Sequence, residues 1–116
     1  SPDQRRKLVM PFFVKQNDTS PSLRAKLVDG NGAAANLLGC TVRFHMRLGF
    51  GGAVKIDNSA SIVDAAAGIV QYNWAPSDTD TVGQFIGEFE VTFPGGIIET
   101  FPNSSNIQIT ISPEIA

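Results

Sequence analysis

The stretch Phe85-Ile86-Gly87-Glu88-Phe89-Glu90-Val91-Thr92-Phe93 decides the fold class of this chain. Phe85, Phe89, Val91 and Phe93 stand on one side of the stretch in a two-residue rhythm, and Gly87 occupies the same row. Successive side chains of a β-strand point to opposite faces, so this rhythm is typical of a strand with one buried face. A helix would scatter the phenylalanines around its circumference. The stretch therefore predicts a strand.

The same alternation recurs along the chain and predicts further strands. It is clearest in the stretches 23–27, 42–48, 70–74 and 107–111, and shorter runs with the same tendency lie near Ala53–Ile56, Ser61–Asp64 and Gly96–Phe101. Turn residues separate these runs, as in Asp29-Gly30-Asn31-Gly32 and Pro94-Gly95-Gly96. Seven to nine short strands with turns between them indicate an all-β, antiparallel β-sandwich, and a small closed barrel is the alternative.

A short motif favours an immunoglobulin-like form of this sandwich. Asp80 and Gly83 precede Phe85, where the chain enters its most regular strand. Many immunoglobulin-like domains have an Asp, a Gly and then an aromatic residue at this corner. Because Phe85 stands where a tyrosine would donate a hydrogen bond back to the corner, that particular bond is not expected here.

Length and charge limit the possible functions. The 116 residues suffice for one domain with a single core. A net charge of −2 argues against nucleic-acid binding, which needs a basic excess on one face. No apolar run approaches the roughly 20 residues that span a bilayer, so no membrane partner is expected. Cys40 is the only cysteine, so an internal disulfide is excluded.

The first 14 residues differ from the rest, so we expect an N-terminal arm or edge segment at 1–14 and the sandwich domain at 15–116. The arm is first basic and then apolar. The favoured interpretation is that its apolar part, Leu8–Val14, closes one edge of the core, and docking onto a partner is the alternative. Pro11 cannot donate a ladder hydrogen bond, so its segment is an edge strand at best. The candidate partner-docking residues are Arg5, Arg6, Lys7, Leu8, Val9, Met10, Phe12 and Phe13.

No catalytic, cofactor or metal constellation is apparent, so we expect a protein that is not an enzyme. His45, the only histidine, stands between Arg43 and Arg47 rather than beside a carboxylate that would orient it. One histidine and one cysteine cannot form a structural zinc site. The oxygen donors of Asp29–Gly32 and Asp78–Asp80 do not continue into a complete calcium-binding loop, so they are interpreted as turn residues.

Two acidic residues on one strand face, Glu88 and Glu90, have a structural explanation. Their strand is expected to lie beside the strand that carries Arg43 and Arg47, as the corresponding strands commonly do in immunoglobulin-like sheets. The four side chains would then form cross-strand ion pairs. Glycosidase chemistry, which also uses paired carboxylates, is the weaker interpretation.

Tyr72 and Trp74, the only residues of their types, raise the question of sugar binding, because aromatic rings on a sandwich surface can stack on glycans. Their alternation with Val70 places both on the apolar side of a strand instead. Packing in the core is therefore the favoured interpretation.

Several strings of residues, in this order, resemble the N-terminal domain of phage baseplate upper proteins. The resemblance runs from about Phe13 to Ile111, most of the chain. The strings are Lys15–Pro21, then Val63–Gly68 with Tyr72 and Trp74 after it, then Gly83–Pro94, then Ile98–Asn103.

This resemblance implies a virion structural protein of a tailed bacteriophage, located at the tail or baseplate, that attaches a larger appendage. Its partners would be other virion proteins, and we expect a homo-oligomer or several symmetric copies, since symmetry multiplies weak contacts. A head decoration protein and a host-surface glycan-binding module are the alternatives.

Overall fold

The computed structural model describes residues 10–49, 51–103 and 106–115, which form eight β-strands and no helix. The strands are β1 (Met10–Lys15), β2 (Leu23–Lys26), β3 (Thr41–Leu48), β4 (Val54–Asp64), β5 (Ile69–Tyr72), β6 (Gly83–Thr92), β7 (Ile98–Phe101) and β8 (Ile107–Ser112). A helix that could cross a membrane is absent from these ranges. The prediction of an all-β fold is confirmed.

The strands form one mixed sheet in the order β1-β8-β6-β3-β4-β5-β2, and β7 pairs with β6. β1 runs parallel to β8, and the other pairs among the described strands are antiparallel. The expectation of a wholly antiparallel arrangement is therefore wrong at this edge. β1 and β8 are the first and last strands, so no tight turn joins them and dictates their relative direction.

One long strand, β4, joins the two layers of the molecule. Its first part pairs with β3 up to Ala60, and its second part pairs with β5 from Ser61. The sequence predicted two short strands here, and the structure merges them into a single strand of 11 residues. Because β4 crosses from one layer to the other, β5 and β2 fold over the layer that contains β3 and β6.

The two ends of the sheet approach each other, so it is nearly closed into a barrel. Phe12 on the edge strand β1 lies 5.8 Å from Trp74, measured between ring centroids, and Trp74 follows β5. Phe44 of β3 stacks on Tyr72 of β5 at 4.7 Å across the core. This arrangement is close to the barrel alternative, and the immunoglobulin-like sandwich stays a prediction.

The core is formed by the rows that the alternation predicted. The inward side chains of the three central strands are at most 3% exposed; they are Val42, Phe44, Met46, Phe85, Phe89, Val91, Ile107, Ile109 and Ile111. Leu48, the last residue of β3, is the exception: it lies opposite the buried Phe85, yet at the strand end it is 48% exposed.

Gly87 interrupts the phenylalanine row because no side chain fits there. A Cβ atom at this position would lie 2.9 Å from both Phe44 Cε1 and Ile109 Cδ1. Such distances are shorter than carbon atoms tolerate, so the glycine allows β3 and β8 to pack their side chains over β6.

A polar corner closes the end of the molecule where β5 leads toward β6. Tyr72 Oη donates a hydrogen bond of 2.5 Å to Asp78 Oδ2, which also accepts one from the Ala75 amide at 2.8 Å. Burial, followed by this hydrogen bond, raises the pKa of Tyr72 to about 12. The buried Thr79 hydroxyl donates to the Asp18 carbonyl at 2.7 Å. These hydrogen bonds hold the connection between β5 and β6.

Candidate docking surface

The outward side chains of β3, β4 and β6 form a continuous polar surface, which we call the outer face. It exists because the same alternation that buries one row of each strand exposes the other. Its main members are Arg43, His45, Arg47, Val54, Asp57, Ile86, Glu88 and Glu90.

An open cleft of about 490 Å³ lies on the outer face. Its lining includes the charged residues Arg47, Asp57 and Glu88, the imidazole of His45, and the apolar residues Val54 and Ile86. Arg47 occupies the middle of a row across three strands, since Val54 of β4 lies opposite it on one side and Ile86 of β6 on the other. The cleft therefore offers charge and apolar surface side by side.

Asp57 organises one side of the cleft. Its Oδ1 atom accepts a hydrogen bond from Arg43 Nε at 2.9 Å and lies 3.2 Å from His45 Nε2. Arg43 also donates through Nη2 to the Asp57 carbonyl at 2.9 Å. The hydrogen bond from Arg43 is the main reason why the pKa of Asp57 is lowered from its ordinary 3.8. Asp57 is thus a carboxylate held between two nitrogen donors.

Sequence reasoning missed Asp57, although a signal for it exists. β3 and β4 form a hairpin, and outward residues of paired hairpin strands face one another. His45 lies directly opposite Asp57 in this register. The stretch around residue 57 fell between two short predicted strands, so its partner across the hairpin could not be assigned.

The four residues predicted to form cross-strand ion pairs lie on adjacent strands. The register places Arg43 opposite Glu90, His45 opposite Glu88 and Arg47 opposite Ile86, which confirms the expected adjacency of β3 and β6. Arg43 makes its salt bridge with Asp57 of β4, which lies on the other side of β3 from Glu90. Pairing of Arg43 and Arg47 with the two glutamates stays a prediction.

The structure describes only some of the predicted N-terminal docking residues. Arg5, Arg6, Lys7, Leu8 and Val9 lie outside the described residues. Met10 begins β1, whose backbone pairs with β8 at the edge of the sheet. Phe12 packs inward against Trp74, whereas Phe13 points outward and is 68% exposed. Docking through this segment stays a prediction, and Phe13 is the described apolar side chain that is free to make such a contact.

The other residues considered for chemistry have structural partners. Asp29 Oδ1 accepts hydrogen bonds from the amides of Asn31 and Ala33, at 2.8 and 3.0 Å, as expected of a turn residue. Asp80 Oδ1 lies 2.6 Å from Lys55 Nζ, and this hydrogen bond lowers the pKa of Asp80. Within residues 10–49, 51–103 and 106–115, no group of three or more His, Cys, Asp or Glu side chains is placed to hold a metal ion.

Tyr72 and Trp74 are both core residues, as predicted. Tyr72 is 1% exposed and Trp74 5% exposed, and their rings meet edge to face at 5.4 Å. Trp74 Nε1 donates a hydrogen bond of 3.0 Å to the Pro21 carbonyl. Neither ring is available to stack on a sugar.

Comparison with known proteins gives a matching family and a similar solved structure. The chain matches the BppU N-terminal domain, the N-terminal domain of baseplate upper proteins, over residues 9–113. Among solved structures it is similar to CopC from Methylosinus trichosporium OB3b, with a TM-score of 0.52 and 12% identity over 92% of this chain and 88% of that one. At this identity the likeness concerns the fold alone. No match was found among curated proteins.

Proposed function

Because the chain belongs to the BppU N-terminal domain family, we propose that it is a non-enzymatic structural module of a tailed-phage virion. In this proposal it works at the tail or baseplate, as an adaptor that attaches a larger appendage to neighbouring virion proteins. The observation that carries the proposal is the family match over residues 9–113, which includes all eight strands.

An adaptor needs surfaces that several neighbours can hold at once, and the sheet offers two kinds. Its terminal strands, β1 and β2, present backbone groups to which a partner strand can add. The outer face offers charges beside exposed apolar side chains. Contacts of this kind are individually modest, and a symmetric particle multiplies them.

The His45–Asp57 pair supports a structural role better than a catalytic one. The carboxylate oxygen that faces His45 also accepts the hydrogen bond from Arg43. A histidine that serves as general base must reach the proton of a nucleophile or a water. In the described chain, the side-chain hydrogen bonds and ion pairs of these residues connect Arg43, His45 and Asp57 to one another. We interpret this trio as a fixed charge pattern on a docking surface.

The immunoglobulin-like character of the two layers belongs to the same proposal. The adjacency of β3 and β6 suits such a domain. The parallel edge strand β1 would then be an addition that seals the last strand of the sandwich.

Locating the chain in intact particles tests the proposed function. Electron cryomicroscopy of the phage should show density at the tail end that accommodates a body of 45 × 37 × 25 Å. Particles that lack the gene should lose this density, which provides the control. Density on the capsid instead would favour the head-decoration alternative, and absence from the particle would overturn a virion role altogether.

A glycan array tests the remaining alternative, a host-surface glycan-binding module. The proposed function predicts no sugar binding by the natural protein. Reproducible hits, retained by a folded domain and lost on substitution of outer-face residues, would overturn the adaptor role in favour of a host-surface module.

A further inference from the structure

We infer that the outer face is a self-association surface whose partner is a second copy of this chain, with Arg47 of each copy paired to Glu88 of the other. The proposed function requires neighbours but does not say which protein touches this face. The inference names that neighbour and rests on the charge pattern of the cleft.

Arg47 and Glu88 are placed for contact with a partner. The register sets Arg47 opposite Ile86 and His45 opposite Glu88, so Arg47 and Glu88 are diagonal neighbours on β3 and β6. Such diagonal positions lie about 7–8 Å apart. Neither side chain forms an ion pair with another residue of the described ranges, in contrast to Arg43, whose charge is matched by Asp57.

This arrangement is self-complementary. A two-fold axis that lies between two facing outer faces, and passes midway between the two side chains, puts Arg47 against the partner's Glu88. The same operation puts Glu88 against the partner's Arg47, as an isologous contact requires. Arg47 and Glu88 of the two copies thus form two ion pairs in the dimer. A different protein would need a negative charge opposite Arg47 and a positive charge opposite Glu88, each supplied by a residue of its own.

The apolar neighbours of Arg47 strengthen such a contact. Val54, which is 57% exposed, and the half-buried Ile86 flank Arg47 on the two adjacent strands. A second copy that covers these side chains would exclude water from the ion pairs, and Coulomb attraction rises as the local dielectric constant falls. Apolar anchors with charges around them are also the usual composition of an interface.

Charge-reversal variants test the inference in the full chain by analytical ultracentrifugation over a range of concentrations. The natural protein should show a reversible dimer of the 12.4 kDa chain. Arg47→Glu alone and Glu88→Arg alone each create two like-charge contacts across the axis, so their dimer dissociation constants should rise about a hundredfold or more.

Mixing the two variants gives the decisive result. Arg47→Glu in one copy and Glu88→Arg in the other restore both opposite-charge contacts, so the mixture should form a heterodimer although neither variant self-associates. The double variant with both reversals should dimerise like the natural protein. Lys26→Glu, an exposed reversal on β2 in the other layer, is the matched control and should leave dimerisation unchanged.

Three results would overturn the inference: a natural protein that stays monomeric at every concentration, single reversals that dimerise as well as it does, or a mixture without heterodimer. Melting curves establish that each variant is folded, and Arg47→Gln with Glu88→Gln replaces any reversal that is not. A monomeric result would leave the proposed function standing, because that function is tested by the position of the chain in the particle.

Discussion

The two faces of the β3–β6 strand pair differ in how tightly they restrict their residues. The inner face holds Phe44 and Phe89 at 5.1 Å between ring centroids, and beside them only a glycine fits at position 87. The outer face carries half-exposed charges over an open cleft. Stability and recognition are thus divided between alternate residues of the same strands, so neighbouring substitutions should have very different effects.

The largest difference should separate two residues that are adjacent in β6. Phe89→Ala empties a site that is 0% exposed and should lower the free energy of unfolding by about 3–5 kcal/mol. Glu90→Ala, the next residue and outward-facing, is the matched control and should change it by less than about 0.5 kcal/mol. Urea denaturation measures both. Similar losses for the two variants would contradict the division between the faces.

Gly87→Ala should show how little space the inner face has left. The added methyl group would meet Phe44 and Ile109 at 2.9 Å, so we expect a loss of about 1–3 kcal/mol through overpacking. Alanine normally strengthens a strand relative to glycine, so the expected sign is opposite to the intrinsic preference. A variant that unfolds at higher urea concentration than the natural protein would show that the core can adjust.

Tyr72→Phe tests the polar network at the end of the inner face, where β5 leads toward β6. Loss of the hydroxyl leaves Asp78 Oδ2 with one fewer donor and should cost about 1–2 kcal/mol near neutral pH. The folded state raises the pKa of Tyr72 from 10.0 to about 12, so it favours the protonated phenol. The stability advantage of the natural protein is therefore complete below pH 10 and shrinks as the pH rises through about 12. Melting of both proteins across this pH range measures the difference, and an advantage that stays constant would contradict the assignment.

The smallest effect is expected at Asp57 on the outer face. Asp57→Asn removes the charge that Arg43 and His45 share, but the side chain is 56% exposed and water screens the pair. The folded state lowers the pKa of Asp57, so any stabilisation is present above its ordinary pKa of 3.8 and is lost as the pH falls through the lowered value. Denaturation at neutral pH should scarcely separate the variant from the natural protein. A loss as large as that of Gly87→Ala would show that the trio supports the fold.

Much of the fold could be predicted because burial in a strand follows a local rule. The rows of β3, β6 and β8 were identified from alternation alone, as was the turn at Pro94–Gly96, where the Phe93 amide bonds the Ile97 carbonyl at 2.7 Å. The rule failed at Leu48, which ends β3 and is 48% exposed. The contacts of the outer face were harder to predict, because a charged side chain at an outward position can pair with a residue on either neighbouring strand.

From the sequence alone, one can determine which side chains each strand buries, since successive residues of a strand necessarily face opposite ways. Only the tertiary structure decided that β4 joins both layers, that β1 lies parallel to β8, and that Arg43 pairs with Asp57 of β4. These features depend on which strands become neighbours and in what register. That choice follows from how the whole sheet closes around its aromatic core, and no short stretch of residues contains it.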